Sequence, residues 1–302
     1  MNLRLKRWQR WTAYTLFALI AFAFALRQTF PTEAVKERLV LEAAAQGWQV
    51  SVADVRPAGF SGIGMTGLTL ESRDGLRIPV EKVEARLRLL PLLLGRHGVS
   101  FEGTLFEGRV KGFAEESKAA RRLVAVITGV DLSLAAPLRK VTGLALAGVL
   151  RGDVDVTLDD KQPARSTGHL DLAIDRAAVN GGELPVPGMG GALTLPRIGL
   201  GEVTASATVK DGKITFDRLD SRGDDVEATG EGLYCLVQPR LALAPIFGKA
   251  RIKIRDTFWA KSGAAAFKPL MEMALAQGRD GEGAYGVQIF GTLSQPQARM
   301  AP

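Results

Sequence analysis

Leu150-Arg151-Gly152-Asp153-Val154-Asp155-Val156-Thr157-Leu158 carries a period of two. In an extended chain Val154, Val156 and Leu158 fall on one side, and Asp153, Asp155 and Thr157 on the other. Gly168-His169-Leu170-Asp171-Leu172-Ala173-Ile174-Asp175 repeats the pattern, with Leu170, Leu172 and Ile174 sharing a side. Val203, Ala205, Ala207 and Val209 repeat it again. Asp211-Gly212 then turns this strand into Lys213-Ile214-Thr215-Phe216-Asp217, a strong two-residue hairpin signal. One apolar side per strand predicts an antiparallel sheet covered on one side only. The six residues Val154, Val156, Leu158, Leu170, Leu172 and Ile174 are the candidate core-facing or lipid-facing set.

Working outward, the same period predicts strands at 49–55, 67–71, 80–89, 99–103, 108–112, 226–233, 250–254 and 286–293. Residues 114–123 are polar and read as a surface helix or loop, and Leu92 to Gly95 as a short apolar turn or helix. Pro269 to Gln277 reads as a helix opening at proline. The expected fold is mainly β: a long curled antiparallel sheet, or an open sandwich or groove, with one or two short helices. A flat sheet of that size would curl or split. Whether its apolar face packs on itself or stays open is not written in the spacing.

The N-terminus differs from everything after it. Arg4, Lys6, Arg7 and Arg10 precede the sixteen-residue apolar run Trp11 to Leu26, and no acidic residue appears before Glu33. A bilayer span needs about 20 residues, but Trp8, Trp11 and Arg27 suit the two interfaces and extend the usable length. The expected organisation is a cytoplasmic basic head at 1–10 and a transmembrane anchor at 11–27. A juxtamembrane segment at 28–47 and an exported β-rich domain at 48–302 follow. Cleavage after Ala23-Phe24-Ala25 is the competing reading, and it exports the chain equally. Within 28–47, Glu33 to Gln46 reads as an amphipathic helix with Val35, Leu39 and Ala43 spaced by four, Thr32 as its N-cap and Gly47 as its stop.

The 302 residues are 46% hydrophobic and 24% charged, with 34 glycines and only 7% aromatics, a mixture suited to many short strands and tight turns. Four of the seven net positive charges lie in the first ten residues, and no basic run with interleaved aromatics follows, so nucleic acid is not an expected partner. Cys235 is the single cysteine, which excludes an internal disulfide and a cysteine metal site; it reads as a buried thiol.

Catalytic patterns are absent. His97 and His169 belong to no metal-binding motif. Gly59 to Gly67 lacks the lysine and helix of a phosphate loop and reads as turn. Asp153 with Asp155, and Asp171 with Asp175, lie on polar faces and can form at most a weak cation site. Asp159-Asp160 and Asp224-Asp225 read as solvated turn pairs. The expectation is no enzyme, no resident metal and no cofactor.

Several stretches resemble the type II secretion system protein N family: Thr29-Phe30-Pro31, the helix with Leu39, and Val50-Ser51-Val52 leading to Arg56-Pro57. So do Leu89-Leu90-Pro91-Leu92-Leu93-Leu94-Gly95-Arg96 with Val99-Ser100-Phe101, and Leu193-Thr194-Leu195-Pro196-Arg197-Ile198-Gly199-Leu200-Gly201 leading to Val209-Lys210-Asp211-Gly212-Lys213-Ile214. The closing Gly291-Thr292-Leu293-Ser294-Gln295-Pro296 also fits. The resemblance implies an accessory subunit of a bacterial secretion machine, anchored in the inner membrane and exposed to the periplasm, with other subunits as partners and no catalytic residues. The strand grammar also looks like AsmA-like envelope proteins, which implies a long sheet with an apolar groove for phospholipid.

Overall fold

A computed structural model describes residues 32–301, apart from 270–277 and a number of short connecting segments. The expected basic head, anchor and start of the juxtamembrane segment lie outside the described residues. No helix among those described is long and apolar enough to cross a membrane.

The chain opens with helix α1 (Thr32–Ala45), which packs on the first strand. Eight strands follow: β1 (Trp48–Pro57), β2 (Gly62–Ser72), β3 (Arg77–Leu87), β4 (His97–Leu105), β5 (Gly108–Glu116), β6 (Arg121–Asp131), β7 (Leu146–Leu158) and β8 (Thr167–Val179). A small separate hairpin, β9 (Gly182–Pro185) and β10 (Ala192–Leu195), interrupts the series. Then come β11 (Ile198–Lys210), β12 (Lys213–Arg222), β13 (Val226–Leu236), β14 (Ile246–Ile254), the short helix α2 (Asp256–Trp259), β15 (Tyr285–Thr292) and β16 (Gln295–Met300).

Fourteen of these strands form one antiparallel sheet, ordered as they occur in sequence, with β8 beside β11. Each strand packs chiefly on its two neighbours, and no second sheet lies over it among the described residues. The sandwich alternative is therefore not what forms; the open single sheet is.

Local chemistry sets the turns. Asp211 and Gly212 both have positive φ, 52° and 72°, the mirror-image turn whose twist matches antiparallel strands. Phe106 and Glu107 make the same kind of turn between β4 and β5 at φ 48° and 62°, without the glycine that would have announced it. Along α1, Thr32, Lys36, Leu39 and Ala43 are half-buried, one position per turn. Thr32 is itself helical, so the described helix includes the expected cap position instead of starting after it.

The segment 114–123 is a correction. Residues 114–116 complete β5 and 121–123 begin β6, leaving only a short connection between them. Its charges misled because Arg121 and Arg122 sit at a strand end, while Leu123 to Ile127 is an unbroken apolar run that hides the alternation. Lys268 and Pro269 are helical, but the remainder of the expected 269–277 helix lies outside the described residues, as do Leu92 to Leu94.

Candidate functional site

Register aligns the apolar residues of successive strands into rows that run across the sheet, since paired residues in an antiparallel ladder point the same way. One row runs Pro57, Ile63, Ala85, Phe101, Gly112, Ala125, Val154, Leu170, Ala207 and Phe216, from β1 to β12. A parallel row runs from Val55 and Met65 through Val110, Ile127 and Leu172 to Leu219. A third runs from Leu87 and Val99 through Leu123, Val156 and Val209 to Cys235 and Ile246. None of the three contains an ionisable side chain other than the Cys235 thiol.

All six candidate residues belong to this face. Val154 pairs with Leu170, Val156 with Gly168, Leu172 with Gly152, Ile174 with Leu150, and Leu158 with Arg121. All six are half-buried rather than buried. Other members of the face are buried: Val55 and Met65 at 3% and 5% exposed, Ala207 and Val209 at 2% and 4%, and Cys235 at 0%. Burial there raises the Cys235 thiol above its ordinary pKa, in keeping with an inert packing role. The face thus mixes buried positions with half-buried ones along its whole length, and the six candidate residues are among the half-buried ones.

Two glycines shape that middle. Gly152 and Gly168 sit at φ 154° and 157°, and a Cβ there would lie 2.1 Å from the Asp171 carbonyl oxygen and 2.4 Å from that of Asp155. Such close backbone approach marks a bend in the strands and leaves notches between the flanking apolar side chains.

The opposite face is laced with ion pairs. Arg122 donates to both oxygens of Asp155 at 3.1 and 2.8 Å, and Arg151 to both of Asp175 at 2.9 and 3.1 Å. These guanidinium hydrogen bonds hold the Asp155 and Asp175 carboxyls below the usual range. Asp155 is therefore paired rather than merely solvated. Because the pair remains open to water, Asp155→Ala should cost at most about 1 kcal/mol in chemical denaturation; a loss several times larger would mean that the pair is buried.

Asp153, His169 and Asp171 bring ligand-type atoms within 4.8 Å of one another, but all three are exposed. The four aspartates do not converge as a cation site, because arginines engage two of them. His97 begins β4 opposite Glu116. A cavity of about 370 Å³ lies on this polar face across β3 to β6, where Arg88 and Arg122 approach the Phe113 ring at 4.3 and 5.7 Å.

Two aspartates read as solvated are buried. Asp159 is 8% exposed and accepts from the backbone N–H groups of Lys161 and Gln162. Asp225 is 3% exposed and accepts from Lys261 Nζ and the Gly199 N–H. Burial alone would raise the Asp225 carboxyl, but those two donors outweigh it and hold it below its ordinary value. A carboxyl depressed by folding stabilises above its unfolded pKa and loses that contribution as pH falls through the folded one. Asp225→Asn should cost about 2 kcal/mol at neutral pH, with a penalty that shrinks below about pH 4. A penalty independent of pH down to the acid limb would refute the ionic role.

No family model, curated protein or solved structure matches this chain.

Proposed function

We propose that the protein is a lipid-binding protein of the bacterial envelope, tethered to the inner membrane by residues 11–27 with its sheet in the periplasm. The continuous apolar face of a sheet that no second large sheet covers among the described residues supports this reading. Ten strands at about 4.8 Å spacing make a track about 43 Å long, and three rows make it about 14 Å wide. The three rows cover an uncharged plan area on the order of 600 Å², and its half-buried members, Val154, Val156, Leu170 and Leu172 among them, are the part that a ligand can reach. Acyl chains are the simplest occupant for three rows that carry no charged side chain.

The accessory-subunit reading in a type II secretion machine rests on resemblance. Docking of other subunits by strand addition meets an obstacle at β16, where Pro296 and Arg299 blunt the free edge. That reading would instead use the ion-paired face.

Purified full-length protein, extracted from membranes in detergent and analysed by mass spectrometry, should carry bound phospholipid and an intact N-terminus. Lipid-free protein that co-purifies with secretion subunits would overturn the lipid reading in favour of the other.

A further inference from the structure

We infer that the sheet makes a second contact with the bilayer, through exposed leucines at one end of β3 and β6, beside the point where the chain leaves for its anchor. This rests on the proposed anchor but on separate residues. Two residues join α1 to β1, and the half-buried positions of α1 recur along its whole length, so the helix lies back along β1. Fourteen residues rise about 21 Å, which brings Thr32 level with the later part of β1, near Asp54. The route from the membrane therefore arrives at the Pro57 end of the strands.

Register places Leu87 of β3 and the start of β6 at that same end. Here Leu87 is 54%, Leu90 78% and Leu123 43% exposed. Leu90 belongs to the connection Arg88 to Arg96, whose sequence holds five leucines and a proline between arginines. Arg86, Arg88, Arg96 and Arg121 stand at these strand ends, where Arg86 pairs with Glu84 at 3.2 Å, Arg88 pairs with Glu115, and Glu116 lies opposite Arg121. Apolar tips inside a basic collar fit an anionic phospholipid surface, with leucines below the headgroups and guanidinium groups among the phosphates. Leu87 and Leu123 both belong to the third apolar row, the one of the three nearest these strand ends, so the contact would bring the edge of the track to the bilayer. A lipid could then pass from one to the other without crossing water.

The test uses full-length protein in vesicles of phosphatidylethanolamine and phosphatidylglycerol carrying a spin-labelled lipid quencher. Single cysteines at Leu90→Cys, Leu123→Cys, Leu134→Cys and Phe17→Cys, each in a Cys235→Ala background, carry an environment-sensitive fluorophore. Leu134 is 45% exposed but follows β6, at the opposite strand end, so it controls for apolar exposure alone. Labels at positions 90 and 123 should be quenched several-fold more than the label at 134. Equal quenching at 90, 123 and 134 overturns the contact, whatever position 17 does. Quenching at 17 without quenching at 90 leaves the anchor standing and removes the contact. Quenching at 90 without quenching at 17 keeps the contact and removes the anchor.

Discussion

Gly152→Val should destabilise the sheet by about 3 kcal/mol or more, the largest effect of any single change considered. Two costs combine. The backbone at φ 154° is one that a β-branched residue resists, and the new Cβ would meet the Asp171 carbonyl at 2.1 Å, where only strand separation gives relief. Gly129→Ala separates the terms. Gly129 also has positive φ, 70°, but nothing lies within 4 Å of its Cβ position, so it should lose only about 1 kcal/mol. Thermal melts of the two variants check this. A Gly152→Val protein that melts with the parent would show that β7 and β8 do not approach as described.

Val156→Asp should separate folding from lipid binding. Its register neighbours on this face are Leu123 and Gly168, and it is half-buried. A carboxylate there keeps access to water, so the folding penalty should stay near 1–2 kcal/mol rather than the larger cost of a sealed charge. The lipid carried through purification should fall several-fold, because a charge in mid-track interrupts the apolar surface on both sides. A large melting loss would mean that something packs over this face. Unchanged melting and unchanged lipid would place Val156 away from the ligand.

The strands of the second half were legible because Val154, Val156, Leu170 and Leu172 alternate with charges that water holds on the other side. Where alternation failed, so did the reading. β6 begins with two arginines and continues as Leu123-Val124-Ala125-Val126-Ile127, in which both faces are apolar and no period survives. The turn at Phe106-Glu107 lacks glycine, so its positive φ values follow from the strand pairing around it and not from local preference. Asp225 was opaque for a different reason: its partners Lys261 and Gly199 lie 36 and 26 residues away, and no local pattern announces such a pairing. The apolar face itself was readable strand by strand, but its continuity across the sheet depends on register, which single strands do not carry.

A sheet in which every strand leans on its neighbours alone has no closure condition. A barrel or sandwich must keep its strand number, because losing a pair opens a seam; this sheet has no seam to open. The β9–β10 hairpin already shows the tolerance, since it interrupts the chain between β8 and β11 while those two strands still pair. Descent could therefore add or delete hairpins one at a time, each changing the track by about 10 Å without re-engineering the rest, so that length becomes a heritable dimension matched to whatever distance the protein has to cover.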